Sequence, residues 1–89
     1  MRYSVTWQPA QKQKLARIWL DAPNRRAVTA AANRIEKLIA ENPAIEGDDF
    51  YGDRILIDRP LGVIYSVSEP DQLVEVIRVW HEAWIGEEE

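Results

Sequence analysis

Eighty-nine residues, 46% of them hydrophobic and 29% charged, make one ordinary globular domain and leave no room for a second. With no cysteine there is no disulfide framework and no thiolate metal site, and a single histidine excludes the usual multi-histidine clusters. The net charge of −4 conceals a split: eight basic and two acidic residues up to Lys37, then three and thirteen from Leu38 onward. Surfaces of opposite sign attract different partners.

Tyr3 to Trp7 alternates and is rich in β-formers, which predicts a short strand. Pro9 suits the first turn of a helix, where its missing N–H costs nothing. From Ala10 to about Leu20 the residues Gln11, Leu15, Ile18, Trp19 and Ala22 recur at helical spacing, with Lys12, Lys14 and Arg17 facing water. Pro23 breaks that pattern and Asn24 is a fair N-cap for a second helix. Its apolar face is Val28, Ala31, Ala32, Ile35, Leu38 and Ile39. Ala27, Ala30, Ala31 and Ala32 thin its start, so another backbone can come close, as in an antiparallel helical hairpin.

Asn42-Pro43 ends the second helix. Ala44 to Phe50 reads as a polar connection. Arg54 to Ile57, Leu61 to Ser68 and Leu73 to Trp80 then read as three strands, with turn signals at Asp58-Arg59-Pro60 and Glu69-Pro70-Asp71-Gln72. Connections this short favour an antiparallel meander. The predicted order is β-α-α-β-β-β: an α+β domain with a helical hairpin on one face of an antiparallel sheet, the first strand joining at its edge or centre, and about 82–89 forming a tail.

The opening Tyr3-Ser4-Val5-Thr6-Trp7-Gln8-Pro9-Ala10, with Leu15 and Trp19 on the following helix, resembles the start of RelE/ParE-type toxins. So do Ala40-Glu41-Asn42-Pro43, the Gly52-Asp53-Arg54 lead into a strand, the Leu61 to Val67 strand, and the closing Val76-Ile77-Arg78-Val79-Trp80-His81. The resemblance implies a toxin of a type II toxin–antitoxin system, a class tied to growth inhibition and plasmid stabilization, neutralised by a cognate antitoxin. Its members include ribosome-dependent mRNA endonucleases of RelE type and gyrase poisons of ParE type, and a non-toxic binding domain is a third alternative.

An RNA-cleaving member needs a basic surface and groups that exchange a proton at the scissile phosphate. Arg54, Arg78 and His81 are the candidates, the two arginines because they match positions where the family tends to keep basic residues. The chain departs from the nuclease pattern elsewhere. No lysine follows Lys37, Val63 stands where those nucleases often carry arginine, and no tyrosine occurs near the end. An acidic sheet half repels a phosphate backbone. The expectation therefore leans to a ParE-like, non-enzymatic toxin.

For partner binding the candidates are Lys12, Lys14, Arg17, Arg25 and Arg26 on or beside the hairpin, a docking surface for an acidic segment of antitoxin or gyrase. No aromatic is interleaved among them for base stacking, so direct recognition of a DNA sequence is not expected. Four tryptophans are many for this length. Trp7 and Trp19 are expected in the core, whereas Trp80 and Trp84 are interface candidates, Trp84 partly exposed or folded back over the core. No cofactor or metal is expected. No apolar run approaches the roughly 20 residues that span a bilayer, and the first five residues are too short and alternating for a signal peptide. A cytoplasmic protein is expected.

Overall fold

The computed structural model describes residues 2–82. Strand β1 (Ser4–Trp7) leads into helices α1 (Pro9–Asp21) and α2 (Arg25–Glu41), followed by β2 (Asp48–Phe50), β3 (Asp53–Asp58), β4 (Leu61–Ser68) and β5 (Leu73–His81). They form one five-stranded sheet in the order β1-β5-β4-β3-β2 with both helices on one face. The α+β class and the hairpin of helices are as the sequence predicts.

Two features depart from the expected antiparallel β-α-α-β-β-β arrangement. The first strand lies at the edge and runs parallel to β5, with Ser4 opposite Leu73 and Trp7 opposite Val76. The two helices carry the chain over the sheet and back, which is the long crossover that parallel neighbours require. The second departure is β2, which lies inside the stretch read as a polar connection. Asp48-Asp49-Phe50 has no apolar alternation to announce it. It forms because Tyr51 and Gly52, both at positive φ (51° and 91°), close a two-residue turn whose twist suits a hairpin.

The core lies between helices and sheet. Ile18, Val28, Ala31, Ile35 and Ile39 pack down onto Leu61, Val63, Tyr65, Val74, Val76 and Val79, with Trp7 at the margin. On β4 Leu61, Val63 and Tyr65 are buried against the helices, Gly62 is buried under the Trp80 ring, and Ile64 faces outward. A register shift between Ile64 and Tyr65 lets β5 accommodate Ile77 as an extra residue. Trp7 is buried as expected. Trp19 is not: Ile18 takes the core position, and one residue further on the helix turns by about 100°, which leaves Trp19 38% exposed.

One polar contact caps a helix and two tie the helices to the sheet. Asn24 caps α2 by accepting from the Ala27 N–H at 3.1 Å. Gln11 Oε1 accepts from the Val79 N–H at 3.1 Å, so α1 satisfies β5 beyond the end of β1. Arg34 grips Asp58 through Nε and Nη2 at 3.0 and 2.8 Å and reaches the Arg59 carbonyl, joining α2 to the β3–β4 turn.

Candidate functional site

The alanine-thinned start of α2 does not close against α1. It leaves an open groove of about 450 Å³ lined mainly by Trp7, Leu15, Ala16, Trp19, Val28 and Ala32. Its polar groups sit at the margins. Trp7 Nε1 donates to Glu36 at 3.2 Å, and Trp19 Nε1 donates to the Thr29 hydroxyl at 3.1 Å. The Arg25 guanidinium lies 4.8 Å from the centre of the Trp19 ring and donates to the Leu20 carbonyl at 3.0 Å. That cation–π contact holds a positive charge at the mouth of an apolar slot.

Of the five basic residues predicted for partner binding, three border this groove or the depression beside it, and Lys14 and Arg17 line neither. Lys12 lines it, Arg25 and Arg26 border a second depression that shares Trp19 and Thr29, and Lys14 and Arg17 are exposed on α1. Neither helix has an acidic residue in its first turn or a basic one in its last. Arg25 and Arg26 open α2, and Glu41 closes it. These charges oppose the helix macrodipole, so they cost stability that the reverse order would have contributed. Arg34, by contrast, is committed to Asp58.

The catalytic candidates do not converge. Arg54 pairs in register with Tyr65 and lies on the helix face, whereas Arg78 pairs with Ile64 and is exposed on the opposite face. His81 faces the helices, pairs with Leu61 and is only 4% exposed. Arg54 and His81 therefore lie four residues apart along β4, about 13 Å, on its two flanking strands.

Arg54 is engaged at every nitrogen. Nε donates to the Glu46 carbonyl at 3.1 Å, Nη2 to the Gly47 carbonyl at 2.7 Å, and Nη1 to Asp49 at 2.8 Å. The Tyr65 hydroxyl sits 2.8 Å from the Pro43 carbonyl and 2.5 Å from that of Glu46. Burial pushes the Tyr65 phenol above its ordinary range, while the nearby Arg54 pulls it back. Together they clamp the segment between α2 and β2. Sequence reasoning missed this pair as a unit. The readable signal was Gly47, whose φ of 74° and close approach to Ile55 leave no room for a side chain.

The outer sheet face carries Ile55, Ile57 and Ile64 beside Arg78 and Glu75, so its centre is apolar rather than basic. Trp80 lies across Gly62, where a Cβ would come within 2.4 Å of the indole. Its Nε1 donates to Glu82. Trp80 is thus half-buried on the sheet, and Trp84 lies outside the described residues. Among the described residues no group of three His, Cys, Asp or Glu is placed to hold a metal ion, and no helix is long and apolar enough to cross a membrane.

No family model and no curated protein matches the sequence. Solved structures do. A chain of the toxin–antitoxin complex RelBE2 from Mycobacterium tuberculosis superposes with a TM-score of 0.76 at 15% identity, over 91% of this chain and 99% of that one. A mutant of the E. coli toxin RelE in the free state gives 0.70 at 17% identity, over 98% and 90%. A chain of the chromosomal ParDE system of P. aeruginosa gives 0.58 at 16% identity, over 89% and 95%. The architecture is the RelE/ParE-like toxin fold.

Proposed function

We propose that this chain is the toxin of a type II toxin–antitoxin pair, that it acts by binding its target rather than by cutting RNA, and that its antitoxin grips the helical hairpin. One observation carries the non-enzymatic reading: Arg54, Arg78 and His81 are distributed over two faces of the sheet, and Arg54 is wholly engaged in holding a loop. General acid–base chemistry at a phosphate needs its groups within hydrogen-bond reach of one reacting centre. The outer face offers isoleucines there, with Arg78 alone among the three candidates.

The antitoxin reading is supported by the resemblance in sequence, by the shared fold and by the hairpin groove. An apolar slot rimmed by Lys12, Arg25 and Arg26 suits an amphipathic segment with carboxylates beside its apolar stripe. Gyrase is the target that a ParE-type reading implies. Purification with and without the product of the neighbouring small gene, alongside growth after induction, tests the proposal. Growth should stop on induction of this chain alone and recover when that product is co-expressed. A chain that neither binds the product nor slows growth would be the non-toxic binding domain instead. Growth arrest with cleavage of translated mRNA that depends on Arg78 and His81 would make it the endonuclease.

A further inference from the structure

The β2–β3 turn presents an aromatic tip that the fold does not use. Tyr51 is 94% exposed and stands edge-on to Phe50, with ring centroids 4.9 Å apart. Its φ of 51° is a conformation in which asparagine or glycine would sit with less strain. The tip is also held rigidly, because Arg54 and Tyr65 clamp the segment that leads into it. A rigid, exposed aromatic is a low-entropy anchor for binding. Asp48, Asp49 and Asp53 surround it, which repels both phosphate backbones and anionic lipid and leaves a basic protein surface as its match.

One such surface is on this same chain. We propose that a second copy is the occupant: the Phe50–Tyr51 tip of one molecule docks into the α1–α2 groove of another, with its aspartates facing Lys12, Arg25 and Arg26. The apolar groove of about 450 Å³, open at Trp19, has room for an aromatic side chain. Within one molecule the two surfaces point apart. The groove lies along the first half of α2 on the β1 side, and the tip follows the end of α2 at the β2 edge. The charges that oppose the α2 dipole place a positive pole at one end and a negative pole at the other. Because the two surfaces point apart, one contact leaves a tip and a groove free at opposite ends, so association is head-to-tail rather than a closed twofold dimer. This inference rests on the same groove as the antitoxin reading, and makes the groove self-occupied when antitoxin is scarce.

Sedimentation of the purified full chain, with no antitoxin or target present, tests this apart from toxicity. The mean mass should rise with protein concentration at low salt, and association should weaken by about tenfold or more toward 0.5 M salt, where a Debye length of a few Å screens the charges. Tyr51→Asn, which creates a favoured Asn-Gly turn and so keeps the fold, should be monomeric. Lys12→Glu should be monomeric as well. Mixing these two variants should restore a 1:1 heterodimer, because one retains the groove and the other retains the tip. A monomer at every concentration in low salt overturns the proposal. So does association that survives Tyr51→Asn, or a mixture of the variants that stays monomeric.

Discussion

Replacing Arg54 separates a structural residue from a catalytic one. Its guanidinium donates to the Glu46 and Gly47 carbonyls and to Asp49, with only 20% of the side chain exposed. Hydrogen bonds to a charged group contribute about 1.5–3 kcal/mol each at best. The bond to Asp49 adds little, because that carboxylate is 95% exposed. Arg54→Ala should therefore cost about 2–3 kcal/mol, which for a domain of this size lowers Tm by roughly 8–24 °C. Tyr65→Phe keeps the ring in the core and removes only the hydroxyl, so about 1–2 kcal/mol is expected. Since both side chains reach the Glu46 carbonyl, the double variant should lose less than the sum of the two. Urea unfolding of the four proteins supplies the cycle. An Arg54→Ala protein within about 0.5 kcal/mol of wild type would refute the clamp and return Arg54 to the surface for substrate.

Because burial raises the folded-state phenol of Tyr65 above its ordinary 10.0, the unfolded chain releases that proton first. Stability should be fully present below pH 10.0 and fall as pH rises past it, and Tyr65→Phe should show a shallower fall in urea midpoints across that range. Gly47→Ala places a Cβ 2.5 Å from the Ile55 carbonyl oxygen at positive φ, and should lose about 1–3 kcal/mol in the same assay. Gly62→Ala should cost about 1–3 kcal/mol by displacing the Trp80 ring, and much less in a Trp80→Ala background, as thermal melts of the pair would show. Arg34→Ala should cost no more than about 1 kcal/mol, since its ion pair with Asp58 is half exposed and water replaces it readily.

What is legible in the sequence follows from periodicity. The α2 stripe from Val28 to Ile39 is enough to identify the helix side of the core, whereas the continuous apolar run Val63-Ile64-Tyr65 does not say which side of β4 faces inward. Asn24 and Pro9 mark their helix starts through local chemistry that tertiary packing does not override. The missing pieces have physical reasons. Strand β2 owes its pairing to a turn at Tyr51-Gly52, and a tyrosine is a poor signal for positive φ. The parallel β1–β5 pairing is a decision of topology that no local pattern encodes. Trp19 departs from its expected core position because Ile18 takes the innermost place on α1, and the residue after it, turned by about 100°, lies at the edge of the buried face.

For the candidate site, residue types are readable and their assembly is not. The basic character of the hairpin is plain from Lys12 to Arg26. That it frames an apolar groove depends on how far α1 and α2 splay. Arg54 and Arg78 look alike in sequence, each an arginine inside a hydrophobic run. Strand register then sends them to opposite faces, one into a loop clamp and the other into solvent. A single residue of register decides that difference.

Under the proposed function the chain arrests its target by binding and leaves RNA intact. The most direct measurement is to induce this chain alone and map the ends of translated mRNA while growth is followed. Growth arrest with no new mRNA ends at the ribosome, unchanged in an Arg78→Ala, His81→Ala protein, is the predicted result. Cleavage within translated codons that disappears in that double variant would contradict it.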